Sequence, residues 1–125
     1  MNILLDTHVL IWALENNPTL TESAVNSIVD GNNMVFVSAA SVWEISIKQK
    51  LGKLQTPDNL LEEIRLHRFT PLHINLDHAQ LAGKLPYIHK DPFDRMLIAQ
   101  AIIEKLVLLT RDESIAKYNV KRLKA

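Results

Sequence analysis

The sequence predicts an α/β fold in which parallel strands carry helices on both faces, and three observations lead there. Short β-rich apolar runs alternate with helically spaced apolar stripes along all 125 residues. Asp6, Ser38 and Asn75 each follow such a run and are residue types that cap a helix at its N-terminus. No linker, low-complexity stretch or internal repeat interrupts the alternation, so residues 1–125 are expected to form one domain.

The elements follow in order. Asn2 to Leu5 is an apolar run that stops at Asp6-Thr7, after which Val9, Leu10, Trp12 and Ala13 take up helical spacing, so a buried strand turns into a helix at Asp6. Thr19 and Glu22 have capping-box spacing, Gly31 suits a left-handed helix end, and a helix of about ten residues fits between them. Met34 to Val37 is β-rich; Ser38 then caps a helix whose Ala40, Trp43, Ile47 and Leu51 mark one face up to Gly52. Pro57 suits the first turn of a third helix, Asp58 to His67, where its missing N–H would have no partner anyway. Thr70 to Ile74 reads as a strand, and Asn75 caps a short helix that stops before Pro86. Asp91-Pro92 reads as N-cap and first-turn proline of a helix with an apolar stripe from Phe93 to Ile102, running to Lys105. Leu106 to Thr110 is a strand closed by an Arg111-Asp112 turn, followed by one helical turn, Ser114 to Tyr118, and an edge strand, Val120 to Leu123.

Composition narrows the function. With 47% hydrophobic and 22% charged residues the chain can build a full core without staples. The absence of cysteine excludes disulfides, thiolate zinc sites and a cysteine nucleophile. The longest apolar run, Val9 to Leu14, is far short of the ~18 residues of a membrane span. The first basic residue is Lys48 and Asp6 interrupts the apolar start, so no signal peptide is read and a cytoplasmic protein is expected. A net charge of +0 argues against coating nucleic acid or membrane by bulk attraction. The distribution says more: residues 1–47 hold five acids and no base, while the remainder holds nine acids and fourteen bases. Clustered acids would hold cations and bases around them a polyanion; scattered solvated charge gives the same counts.

Four acids fall where strands of a parallel sheet end and ligands bind. Asp6 ends the first strand, Glu44 lies two turns into the helix after the second, Asp94 is in the first turn after Pro92, and Asp112 follows the strand Leu106–Thr110. Asp6 and Asp94 can equally be a helix cap and a first-turn acid, and Asp112 alone reads as a turn residue. Glu44 shares an apolar stripe with Ala40 and Ile47, where an unpaired charge is costly, so it needs a base or a metal; Lys48, four residues on, permits an ordinary ion pair. Four acids gathered at one sheet edge would repel unless their pKa values rose or divalent metal bound. Oxygen-only ligands select Mg2+ or Mn2+, and many nucleases hold such ions, which lower the pKa of an attacking water. No nucleophile elbow, phosphate loop or H-E-x-x-H stands beside them. His8 and His89 lie near Asp6 and Asp91 but read as surface or helix-end residues. Lys48, Lys90, Arg95 and Arg111 adjoin the acids as candidate phosphate contacts, and Lys117, Lys121, Arg122 and Lys124 form a basic end suited to RNA or to solubility.

Four blocks carry a resemblance: L-L-D-T-H at 4–8, S-V-W-E-I at 41–45, D-P-F-D-R-M-L-I-A-Q-A at 91–101 and L-L-T-R-D at 108–112. In order and spacing they resemble the acidic blocks of PIN-domain ribonucleases, specifically the VapC-like toxins of bacterial toxin–antitoxin pairs, across essentially the whole chain. The resemblance implies a three-layer α/β/α fold with a four- or five-stranded parallel sheet and a Mg2+- or Mn2+-dependent endoribonuclease. It also implies inhibition by a cognate antitoxin and commonly a homodimer. By position, Asp6, Glu44, Asp94 and Asp112 would be the catalytic metal ligands, with Asp91 a cap or outer ligand and Thr7, Ser38 and Thr110 supporting hydroxyls. The implied reaction is hydrolysis of an RNA phosphodiester by metal-activated water. Two other readings stand beside it. One is a catalytically idle PIN-like module binding RNA or a protein partner. The other, a phospho-acceptor receiver-like domain, is disfavoured because no acidic pair sits at the first strand's end.

Overall fold

Five parallel strands form one sheet: β1 (Asn2–Leu5), β2 (Met34–Ser38), β3 (Thr70–Leu72), β4 (Val107–Thr110) and β5 (Arg122–Lys124), in the order β3-β2-β1-β4-β5. The computed structural model describes residues 1–56 and 58–125. As the central strand, β1 is covered on both faces: Ile3, Leu4 and Leu5 are all 0% exposed, each burial contributing about 2 kcal/mol. The pleat sends Ile3 and Leu5 into one core and Leu4 into the other. The first core takes residues of α1 (Thr7–Leu14), α2 (Glu22–Val29) and α4 (Leu60–Leu66); the second takes residues of α5 (Leu76–Lys84) and α6 (Pro92–Glu104). Between them, α3 (Ala39–Lys50) gives Ile45 to the first and Ala40 to the second. The result is the expected three-layer α/β/α architecture, with five strands.

Sheet order decides where ligands can enter. From β1 the chain moves outward through β2 and β3, then returns through α6 to β4 on the opposite side of β1, so the loops beyond β1 and β4 diverge and open a crevice. The receiver-like alternative requires the order 2-1-3-4-5, which this sheet does not have.

The capping expectations hold at four starts: side chains of Asp6, Ser38, Asn75 and Asp91 accept from Val9, Ala40, His78 and Phe93 N–H at 2.8, 3.0, 2.9 and 2.8 Å. Other expectations are corrected. The cap of α2 is Thr21, accepting from Ala24 N–H at 3.0 Å, and not Thr19. Asn17 ties up the Thr19 N–H and buried Leu20 must turn into the core before the helix starts. Gly31 is not left-handed, because α2 ends at Asp30 in extended backbone; Gly52 (φ 70) after α3 and Lys105 (φ 58) after α6 are. The helix expected from Asp58 to His67 is α4 and starts at Leu60, while the expectation for Pro57 lies outside the described residues. β3 stops at Leu72 and β5 starts at Arg122, both shorter than expected, as edge strands with Pro71 and flanking charges would be. Among the described residues no helix is long and apolar enough to cross a membrane.

Candidate active site

The crevice beyond β1 and β4 is built around Asp6. As N-cap of α1 it turns one carboxylate oxygen to the Val9 N–H, while the other accepts the hydroxyl of Thr110, the last residue of β4. Thr110 Oγ1 also accepts the backbone N–H of Asp112 at 3.1 Å. One buried hydroxyl therefore joins the ends of the two neighbouring strands and aligns both aspartates. Asp112 caps the 3-10 turn Glu113–Lys117, accepting from the N–H and hydroxyl of Ser114 at 2.9 and 2.7 Å.

The start of α6 brings the third acid. Asp91 accepts from Phe93 N–H and Asp94 N–H, which fixes the first turn and leaves the Asp94 side chain facing Asp112 across His89. His89 Nε2 is 2.7 Å from Asp112 Oδ2 and 3.1 Å from Asp94 Oδ2, and the three donor atoms lie within 4.8 Å of one another. His89, read from sequence as a surface or helix-end residue, is thus inside the cluster; its place beside D-P-F-D was the only sequence signal. His8 remains exposed on α1, stacked at a tilt on Trp12.

Glu44 projects from α3 and is 4% exposed. It holds Lys48 Nζ at 2.6 Å, so the predicted i,i+4 pair forms. Thr7 donates to Ser41 Oγ at 3.0 Å, locking α1 to α3, while Ser38 is spent on capping α3. Both hydroxyls act on helix placement and neither bonds a carboxylate.

The carboxylates feel one another. Burial pushes Asp94 up to about 7, reinforced by the charges of Asp91, Glu44 and Asp6 and opposed by His89. Burial likewise raises Asp6 above its ordinary value against the bonds from Thr110 and Val9, with Asp112 adding to the rise. At Asp112 burial also pushes upward, but the bonds from Ser114 and His89 outweigh it and hold the carboxyl low. Desolvation and the neighbouring negative charges, chiefly Glu44 through its bond to Lys48, act in opposite senses on Lys48 and leave it raised. This is a field short of positive charge, made of hard oxygen donors, and a divalent cation fits it.

Two predicted phosphate contacts are corrected. Arg95 is 7% exposed and its guanidinium donates to the carbonyls of Ala82, Gly83, Leu85, Pro86 and His89. It organises the loop between α5 and α6 and has nothing left for RNA. Arg111 lies over the Trp12 ring at 4.3 Å and donates to the Ala125 and Thr19 carbonyls, which clamps the C-terminus. Lys48 points at Glu44, so the exposed bases near the cluster reduce to Lys90, with Lys117, Lys121 and Lys124 further along the chain.

Residues 3–121 match the PIN domain family. Ribonuclease VapC16 of Mycobacterium tuberculosis is 36% identical over 74 residues, covering 54% of this chain and 52% of that protein; the match spans about half the length of that curated relative. VapBC2 from Rickettsia felis, solved bound to a promoter DNA fragment, has a chain similar in fold with a TM-score of 0.75 and 17% identity over 100% of this chain and 99% of that one. VapBC-1 from nontypeable Haemophilus influenzae gives a TM-score of 0.68 with 21% identity over 99% and 98% of the two chains.

Proposed function

The chain belongs to the PIN-domain family, and on that premise we propose that it is a metal-dependent endoribonuclease, the toxin half of a VapBC-type toxin–antitoxin pair. One observation carries the reading: side-chain ligand atoms of Asp94, Asp112 and His89 lie within 4.8 Å of one another, and burial with the charges of Asp91, Glu44 and Asp6 pushes the Asp94 carboxyl up to about 7. Uncompensated charge of that kind is what a cation relieves. Asp6, Asp94 and Asp112 would hold Mg2+ or Mn2+, with Glu44 the fourth acid once Lys48 turns aside. The bound ion supplies a Lewis acid that lowers the pKa of water and stabilises phosphoryl charge.

The chain's own residues do the rest. Thr110 bonds the Asp6 carboxylate and the Asp112 backbone N–H, so the two strand ends are held together before the site fills. The narrow crevice admits flexible single-stranded or loop RNA more readily than a duplex. Exposed Lys90 and the C-terminal lysines suit the flanking phosphates. An apolar groove of about 240 Å³ between α3, α4 and β3, lined by Val42, Leu61 and Leu72, suits an antitoxin segment. Exposed Val25, Val29 and Leu66 suit a homodimer contact. The protein acts in the cytoplasm, where its RNA substrate is.

The test is RNA cleavage by antitoxin-free protein with Mn2+ or Mg2+, beside Asp6→Asn, Asp94→Asn and a chelator control. Cleavage by wild type alone supports the reading. An inert wild type, or variants as active as it, leaves a PIN module that binds RNA or protein without cutting.

A further inference from the structure

Resting on the metal-nuclease reading, we infer that His89 is a positioning residue: its Nε2–H bonds the Asp112 carboxylate and holds it beside Asp94 at the edge of a cation site, and the imidazole is not itself a ligand. The tautomer follows from the hydrogen bonds. Nδ1 accepts the backbone N–H of Asp91 at 3.3 Å, so it carries no proton and the ring proton sits on Nε2. That nitrogen donates to Asp112 Oδ2 at 2.7 Å and lies 3.1 Å from Asp94 Oδ2. A protonated ring nitrogen has no lone pair for a metal, so the ligand set stays all-oxygen although the histidine stands among the acids. Each carboxylate oxygen keeps a second lone pair for the cation.

The ring is anchored by its own backbone. The His89 N–H donates to Tyr118 Oη at 2.7 Å, and the Tyr118 hydroxyl donates to the Pro86 carbonyl at 2.7 Å. The His89 carbonyl accepts from buried Arg95 at 3.2 Å. Both sides of the peptide and Nδ1 are therefore occupied, and Nε2 has one direction to face. Without this donor two carboxylates at such range repel and swing apart, and a cation would have to reassemble them on binding.

The experiment compares wild type, His89→Ala and His89→Gln, whose amide N–H2 reaches the Nε2 position. Mn2+ binding to RNA-free protein is read by electron paramagnetic resonance, and the His89 tautomer by long-range 1H–15N spectra, His89 being identified by its absence in His89→Gln. His89→Ala is expected to bind Mn2+ roughly 10- to 100-fold more weakly, with His89→Gln recovering most of the loss. The ring is expected as Nε2–H, retained when Mg2+ saturates the site. An Nδ1–H tautomer, loss of the Nε2 proton on Mg2+ binding, or His89→Ala binding Mn2+ like wild type would overturn the inference. Failure of the functional reading looks different: wild type itself then binds no Mn2+ and cuts no RNA, and the inference falls with it.

Discussion

Replacing Asp94 by asparagine should stabilise the metal-free protein, and should do so only above mildly acidic pH. Burial and the neighbouring acids push the folded carboxyl up to about 7, from the ordinary 3.8 of an open chain. Between those values the native state binds more protons than the unfolded one, so stability contributed at this position falls as pH rises through the window and is lowest above 7. Three pH units at about 1.4 kcal/mol each set a limit of about 4 kcal/mol. With 25% of the side chain in contact with water, screening lowers the expected penalty to about 2–3 kcal/mol. Asp94→Asn keeps the shape, leaves the Asp91 cap of α6 in place and carries no charge. In chelator at pH 8 it should melt about 8–12 °C above wild type, taking about 4 °C per kcal/mol for a chain of this size. At pH 4 the two should nearly coincide. Added Mn2+ should reverse the order at pH 8, because only wild type offers the cation a charged ligand. Thermal denaturation across pH 4–8, with and without Mn2+, reads all of this. A variant-minus-wild-type difference that stays flat with pH, or an asparagine variant less stable at pH 8 in chelator, would refute the reasoning.

Further outcomes follow from the same contacts. Thr110→Val removes the hydroxyl shared by Asp6 and Asp112; urea unfolding should show a loss of about 1–3 kcal/mol. Its turnover at saturating RNA should fall roughly 10- to 100-fold, and a fully active variant would show that the strand ends are aligned by other means. Arg95→Met should lose at least about 3 kcal/mol of stability, since five carbonyls lose a donor and only that of Pro86 keeps the Tyr118 hydroxyl and Ile88 N–H among the bonds described. A stable Arg95→Met with weakened RNA binding would restore the surface role the structure removes. Lys48→Met leaves buried Glu44 without its partner, so the variant should melt below wild type in chelator and recover most of the difference with Mn2+.

How far the sequence could be read depended on the range of the interaction involved. Asp6, Ser38, Asn75 and Asp91 were legible as caps because a cap is a bond across two or three residues, and the spacing alone contains it. Thr19 misled because a second threonine two positions on met the same requirement, and only the pull of buried Leu20 toward the core chose between them. Glu44 and Lys48 were legible as a pair, one helical turn apart. Arg95 and Arg111 were not, since their partners lie up to 92 residues away and a guanidinium near acids looks alike in sequence whether it faces solvent or carbonyls.

Taken by itself, the sequence determined the alternation of strands and helices, most helix starts, three acids at element ends and one on the apolar stripe of a helix, because each is written in local periodicity or capping chemistry. It also carried the family resemblance, spread over four blocks. Only the tertiary structure decided that the sheet runs β3-β2-β1-β4-β5 and opens its crevice between β1 and β4. The same packing brought Asp112 and Asp94 against His89, tied Asp6 to the end of β4 through Thr110, and turned Arg95 inward. Those contacts join residues up to 104 apart in the chain. Burial and Coulomb interaction depend on distance in space, which local sequence pattern does not contain.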